Sequence, residues 1–208
     1  MKDENIFNAF PIPIGFYTLS VDNYEIVNYM DSLDYNRSMG SSTPDADIYL
    51  SKNRKVLNDL PELKRIFTEK VEYQIKEIYE WNTDFQFTKS WVTKCNPGGF
   101  SQTHEHANSL LSGTYYPFGH EGFNIMIKSP LPDFWDISNI NAPTSSMYSA
   151  KEITFQTTDN LLIIFPSYLQ HKVMPNDSKD IRYSVAFNIF PKGKISKDDT
   201  EITIGEVY

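Results

Sequence analysis

Three of the four histidines in this 208-residue chain stand where they could share one metal ion. His104 and His106 are separated by one residue, and in extended backbone two residues so spaced point to the same side, while Glu105 points to the other. His171 follows a strongly apolar run over residues 161–165 and is the third candidate. Imidazole binds iron, zinc, copper and nickel, and three ligands with open positions are typical of a reactive metal. The histidines therefore predict a metal site without fixing the metal.

An arginine eleven residues beyond His171 predicts an anion site near the same metal. In a strand, Arg182 and Ser184 share one face with the small and polar side chains of Ala186 and Asn188. A guanidinium binds a carboxylate through two hydrogen bonds, and the Ser184 hydroxyl can add a third from the same face. We expect an anion bound by Arg182 and Ser184.

Two helices are predicted in the first third of the chain. Asp22, with Glu25 three residues later, is a capping-box pattern that precedes apolar residues at helical spacing. Asp59 is predicted to cap a second helix that has Pro61 in its first turn. Residues 39–44 between the helices are predicted to form a loop. The apolar stripe of the second helix comprises Leu63, Ile66, Phe67, Val71, Ile75, Ile78 and Tyr79.

Short strands are predicted from residue 85 onward, where turn residues separate runs rich in aromatic and β-branched side chains. Helices followed by many short strands indicate an α+β protein whose β part is a sandwich or a barrel. The segment 130–149 is too irregular for a strand, and it is interpreted either as a lid or substrate loop or as a plain surface insertion. The clearest strands are 88–95, 109–116, 122–128, 152–157, 160–165 and 183–190.

Length and composition favour one domain over residues 1–208. With 40% hydrophobic residues the chain can form one sizeable core, with a mainly helical flank at 1–84, a β core at 85–192 and a C-terminal extension at 193–208. The net charge of −8 gives no support for binding nucleic acid. Cys95 is the only cysteine and is predicted to be packed in the interior. Because the sequence has a single cysteine, no leader and no long apolar stretch, we expect a reduced, cytoplasmic protein without a membrane span.

Four blocks of sequence, in order, resemble the Fe(II)/2-oxoglutarate-dependent oxygenases of bacteria and phages. The resemblance covers residues 91–190, about half of the chain, and does not include the helical flank. The blocks are GGFSQTHEH at 98–106, LSGTYY at 111–116, IIFPS at 163–167 with His171, and RYSVAFN at 182–188.

This resemblance implies a double-stranded β-helix, a jelly-roll barrel like that of the cupins, with the N-terminal helices packed on its outside. It implies that His104, His106 and His171 are catalytic ligands of Fe(II) at the mouth of the barrel. Gln102 and Asn188 are expected close to these ligands.

The resemblance also implies the cosubstrates 2-oxoglutarate and dioxygen. Arg182, Ser184 and Tyr116 would hold the distal carboxylate of 2-oxoglutarate, while Tyr115 would pack outward. The implied activity is an oxygenase, in the form of a hydroxylase, acting on a small molecule or a peptide side chain. The sequence names no substrate and leaves dimer formation open.

Two departures from the family pattern leave other readings open. Ala107 stands where the family has proline, and His106 stands where most such enzymes have Asp or Glu. Three neutral imidazoles leave the metal more positive, so its identity is less certain than its position. Glu105 and Glu121 are minor candidates for an additional carboxylate ligand.

The main rivals share the same barrel. A cupin could hold a metal on three histidines as a dioxygenase, but leucines 110 and 111 occupy the place of its usual glutamate, and it gives no reason for Arg182 and Ser184. A non-catalytic binding or structural jelly roll would bind no metal.

Overall fold

Two antiparallel sheets form the centre of the computed structural model, which describes residues 10–38, 47–131 and 150–206. The larger sheet has eight strands in the order β1-β8-β5-β10-β4-β3-β2, with β11 paired to β10, and the smaller sheet has the order β7-β6-β9. The strands are β1 Gly15–Thr18, β2 Tyr35–Arg37, β3 Ile48–Ser51, β4 Asp84–Cys95, β5 Leu111–Tyr116, β6 Asn124–Lys128, β7 Glu152–Gln156, β8 Leu161–Pro166, β9 His171–Val173, β10 Arg182–Ile195 and β11 Ile202–Ile204.

The chain passes repeatedly between the two sheets. After β4 in the large sheet, residues 101–106, which we call the histidine segment, run beside β9. Strand β5 returns to the large sheet, β6 and β7 belong to the small one, and β8, β9 and β10 alternate between them. His104 and His171 exchange both backbone hydrogen bonds, each at 2.9 Å, so the histidine segment extends the small sheet by one irregular strand. This winding is the double-stranded β-helix that the sequence predicted.

Two helices cover the outer face of the large sheet. Helix α1 spans Asn23–Ser32, and α2 spans Pro61–Tyr73 and continues into a π-helical turn over Gln74–Ile78. The Phe67 ring of α2 lies 5.1 Å from that of Phe187 on β10, between ring centroids. Buried side chains of both helices form one core cluster with β4, β5, β8 and β10. Both helices therefore contribute side chains to the core on this face of the large sheet.

The helix signals were partly right. Asp22 caps α1 as predicted, since its carboxylate accepts the Tyr24 N–H at 2.9 Å. The cap at Asp59 is wrong: Leu60 precedes α2 without a side-chain cap, and Asp59 accepts hydrogen bonds from Tyr29 and Asn53 instead. Ile78 was predicted on the apolar stripe, but its side chain is 44% exposed. It ends the π-helical turn, which has more residues per turn than an α-helix and so moves Ile78 off the stripe.

All six predicted strands are present, with ends that differ by a few residues and with β10 running on to Ile195. The short strands β1, β2 and β3, which the sequence did not predict, lie in the flank that was expected to be mainly helical. The predicted loop at 39–44 and nearly all of the segment 130–149, interpreted as a lid or substrate loop or as a surface insertion, lie outside the described residues. No described helix is both long and apolar enough to cross a membrane.

Candidate metal centre

A cleft of about 610 Å³ opens between the two sheets, and all three candidate histidines line it. The large sheet contributes alternate residues of β10, namely Ser184, Ala186 and Asn188. Val185 and Phe187, which alternate with them, belong to the core cluster under the helices. The side chains of β10 thus alternate as the sequence predicts, with one set facing the cleft and the other set facing the helices.

The structure brings His104, His106 and His171 together. One ring nitrogen of each lies within 4.8 Å of the others, a spacing that fits three ligands of one ion. His171 begins β9, His104 is its backbone partner across the small sheet, and His106 follows two residues later. A backbone hydrogen bond from His106 N–H to the Ser167 carbonyl, at 3.0 Å, holds the end of the histidine segment against the loop after β8.

Two of the imidazoles are bound to main-chain carbonyls through Nδ1. The Nδ1 of His104 lies 2.8 Å from the Gln102 carbonyl oxygen, and that of His171 lies 2.9 Å from the Leu169 carbonyl oxygen. A carbonyl oxygen can only accept, so both rings carry their proton on Nδ1. The lone pair is therefore on Nε2, which is left free to bind a metal.

The third imidazole is fixed by side chains. The Nδ1 of His106 lies 2.5 Å from the Asn188 amide oxygen and donates to it. The Ser112 hydroxyl donates to the same oxygen at 2.9 Å and lies 2.7 Å from the Ser167 hydroxyl. His106 therefore has the same tautomer as the other two histidines. All three rings have their tautomers set before any metal binds.

Burial favours the neutral form of two of these ligands, His106 and His171. It lowers the pKa of His171 to about 3, with the charge of His104 acting in the same direction. Burial also lowers the pKa of His106, against the effect of its hydrogen bond to Asn188. Only neutral imidazole coordinates a metal, so the site favours the ligand form.

Arg182 lies at the start of β10 and is 2% exposed. One guanidinium nitrogen, Nη2, donates to Cys95 Sγ and to the Met174 carbonyl, both at 3.1 Å. The other, Nη1, is buried and has no hydrogen-bond partner among the described residues. None of the ion pairs among the described residues involves Arg182. A buried cation with an unused donor fits an anionic ligand.

Ser184 and Tyr116 are both buried, and unlike Arg182 they are among the residues that line the cleft with the histidines. Burial raises the pKa of Tyr116, and the nearby charge of Arg182 acts against that shift. The tyrosine is therefore a neutral hydroxyl within the electrostatic reach of the arginine. Tyr115 faces the helices instead, where its hydroxyl lies 2.7 Å from the side-chain oxygens of Asn23 and Asn160. The two tyrosines face in the directions expected from the sequence.

Sequence reasoning missed part of the surroundings of the site. Asn188 was expected near the ligands, but its connection to Ser112 and Ser167 was not, although both serines lie in the blocks that carry the family resemblance. Gln102, also expected near the ligands, acts through its main-chain carbonyl. Glu105 is exposed and does not line the cleft, so the described residues supply no carboxylate to the histidine cluster.

Comparison of the sequence with protein families gives a match over residues 89–188 to a family described as "Putative 2OG-Fe(II) oxygenase". The matched segment begins in β4 and ends in β10, and it contains every candidate ligand. No curated protein matches the sequence.

Solved structures with a similar fold include the following three. HygX of Streptomyces hygroscopicus, solved with nickel, 2-oxoglutarate and hygromycin B bound, has a TM-score of 0.60 at 10% identity, over 86% of this chain and 83% of that chain. A prolyl-4-hydroxylase of Pseudomonas putida has a TM-score of 0.57 at 11% identity, over 85% and 92%. A prolyl hydroxylase of Trichoplax adhaerens, in complex with a peptide of hypoxia inducible factor, has a TM-score of 0.54 at 12% identity, over 85% and 83%. At these identities the likeness shows the fold.

Proposed function

Residues 89–188 belong to the 2OG-Fe(II) oxygenase family, and we propose that His104, His106 and His171 hold its iron. The observation that carries this proposal is the common tautomer of the three rings, each with Nδ1 bound to an oxygen. Three neutral nitrogen donors on one side of an ion leave positions open for other ligands, and imidazole binds Fe(II) as it binds zinc, copper and nickel. The residues present therefore fit the metal of the family.

We propose further that Arg182, Ser184 and Tyr116 bind the distal carboxylate of 2-oxoglutarate. The unpartnered Nη1 of Arg182 supports this role, because an unused buried donor costs free energy until an acceptor reaches it. Ser184 lines the cleft two residues along the same strand, and Tyr116 lies within reach of the arginine's charge. A guanidinium and two hydroxyl groups together match a carboxylate.

Iron bound with 2-oxoglutarate and dioxygen supplies a strong oxidant for a substrate C–H bond. The chain itself positions and shields this chemistry. Asn188 and the carbonyls of Gln102 and Leu169 orient the ligand rings. Phe165 and Ile125 line the cleft with apolar surface that excludes water from it. Hydroxylation of a small molecule or a peptide side chain is the specific reaction that we propose.

Metal and cosubstrate binding test these assignments separately. Ni(II), which serves as a redox-silent substitute, should bind the wild-type chain at one ion per molecule and should be lost from His171→Ala. Isothermal titration of 2-oxoglutarate into the Ni(II)-loaded protein should then show one site, which Arg182→Ala removes and Lys94→Ala, on the same sheet, retains. Circular dichroism of each variant checks that it is folded.

The rival functions predict other patterns. Stoichiometric metal without any binding of 2-oxoglutarate would favour a three-histidine dioxygenase of the cupin type. Absence of bound metal from a folded wild-type chain would contradict an oxygenase and favour a non-catalytic jelly roll.

A further inference from the structure

The cleft carries positive charge in an acidic protein. Arg54 and Lys89 both line it, and none of its lining residues, in the parts of the chain that the structure describes, is Asp or Glu. The whole sequence holds 27 acidic residues against 19 basic ones. The exclusion of carboxylates from this one surface sets it apart from the rest of the molecule.

Lys89 is placed close to the histidines by strand register. It lies directly opposite Asn188 in the β4–β10 pair, and Asn188 binds His106. Residues directly opposite each other have Cβ atoms about 5 Å apart and share a face of the sheet. The register shifts immediately beyond this pair, between Asn188 and Ile189, so Lys89 stands next to an irregularity of the kind that redirects side chains.

Arg54 is held at the same edge of the cleft. Its carbonyl accepts the Ser90 N–H at 2.9 Å, which fixes its backbone beside the residue that follows Lys89. No ion pair in the described residues engages Arg54 or Lys89. Two exposed cations, with no counter-ion among the described residues, thus line the same cleft.

Trp91 lines the same cleft as these cations and the histidines. It is two residues along β4 from Lys89, on the same face, opposite the small side chain of Ala186. Its ring centroid is 5.7 Å from that of His106. A partly exposed indole at this position offers a flat apolar surface next to the proposed metal.

Charge balance indicates what should bind here. The dianion 2-oxoglutarate compensates a divalent ion, and the three histidines add no negative charge. The divalent ion and Arg182, which would pair with the distal carboxylate, together carry one positive charge more than 2-oxoglutarate can compensate, and Arg54 and Lys89 in the cleft lining add two more. We infer that the primary substrate carries a carboxylate or phosphate group, which Arg54 and Lys89 bind while the adjoining part of the substrate lies against Trp91. This inference rests on the proposed function and names the substrate class of the same site.

Matched probes test the inference. Benzoate and phenyl phosphate are titrated against neutral benzamide into the protein loaded with Ni(II) and saturating 2-oxoglutarate, and binding is followed at the Trp91 indole N–H resonance, which Trp91→Phe identifies. Both anions should bind about tenfold more tightly than benzamide, and Arg54→Gln and Lys89→Gln should each reduce that preference severalfold. Lys94→Gln is the matched control, because Lys94 lies on the opposite face of β4, over the Tyr35 and Tyr183 rings.

The outcomes separate this inference from the proposed function. Equal affinity for benzoate, phenyl phosphate and benzamide, or an anion preference that both variants retain, would overturn it. Loss of 2-oxoglutarate binding in Arg54→Gln or Lys89→Gln would overturn it too, since these cations would then serve the cosubstrate. The titration is repeated with neither nickel nor 2-oxoglutarate, so the anion preference can be scored even if the proposed function fails. A preference for only one of the two anions identifies which group the cleft accepts and supports the inference.

Discussion

At the scale of the residue, the site depends on which ring nitrogen each histidine leaves free. Two carbonyl oxygens and one amide oxygen hold the three Nδ1 protons, so each ring presents Nε2 to the cleft. A substitution does not remove a main-chain carbonyl, whereas a substitution of Asn188 removes the amide oxygen that binds His106. His106 is therefore the ligand whose orientation a substitution can test.

Asn188→Leu should weaken Ni(II) binding by about 10- to 100-fold, because the His106 Nδ1 loses the nearer of its two oxygen partners and keeps only the Ser112 hydroxyl at 2.9 Å. Asn188→Asp should keep most of the affinity, since a carboxylate accepts the same proton. Gln102→Ala is the matched control and should change affinity little, because only its backbone contacts His104. Competition with a chromophoric chelator gives the dissociation constants, and an equal loss in Gln102→Ala would argue against this reading.

The metal-free protein should lose stability on mild acidification. Burial depresses the pKa of His171 from 6.5 to about 3, so below pH 6.5 the unfolded chain takes up a proton that the folded chain does not. The stability associated with neutral His171 is complete above pH 6.5 and is lost progressively as the pH falls toward 3. At pH 5 the loss from this group should be about 2 kcal/mol.

Urea unfolding at pH 7 and pH 5 measures this effect, and His171→Gln should show a smaller difference between the two. The same pH dependence in wild type and His171→Gln would mean that other groups cause it.

At the scale of the element, α2 supports the sheet from the side opposite the cleft. Phe67 is fully buried, with its ring 5.7 Å from Tyr115 and 5.1 Å from Phe187. Tyr115 and Phe187 alternate along their strands with Thr114, Tyr116, Ala186 and Asn188, all of which line the cleft. The helix face and the cleft face of the sheet are therefore formed by neighbouring residues of the same strands.

Phe67→Ala should destabilise the fold by about 3–5 kcal/mol, because it leaves a cavity where a fully buried ring packed. Ile78→Ala should cost much less, since Ile78 is 44% exposed. Thermal unfolding of both variants makes the comparison. A similar cost for the two would contradict the π-helical turn that places Ile78 outside the core.

Prediction from sequence succeeded where a pattern is periodic and local. Residues 182–188 alternate strictly, and the structure keeps Ser184 and Asn188 on the cleft face with Val185 on the other. The α2 stripe held for Leu63, Phe67, Val71 and Ile75, and failed at Ile78 because a π-helical turn leaves no periodic signal in sequence.

Other features depend on contacts that no local pattern records. Strand β3 has four residues and is defined mainly by its partners β2 and β4. The histidine segment is irregular, and only its pairing with β9 brings His104 beside His171. Gly113 is required by long-range packing, since a Cβ there would lie 2.2 Å from the Phe187 ring. The family resemblance covered the histidine segment and Gly113 but not β3, and the structure supplies the reason for each.

At the scale of the whole molecule, the two sheets hold groups that are far apart in sequence around one cleft. The small sheet, with the histidine segment, presents the three histidines, while the large sheet presents Ser184 and Tyr116 and carries the buried Arg182 at the start of β10. The proposed iron site and the proposed carboxylate site therefore belong to different sheets. 2-Oxoglutarate would have to bridge them, so its binding requires both sheets to be assembled.

The most direct test of this account is the visible absorption of the protein loaded anaerobically with Fe(II) and then titrated with 2-oxoglutarate. We predict that a broad charge-transfer band grows to one equivalent, is absent from His106→Ala, and in Arg182→Ala appears only at much higher 2-oxoglutarate concentration. A folded wild-type protein that binds Fe(II) but gives no band with 2-oxoglutarate, or a band that is unchanged in Arg182→Ala, would contradict it.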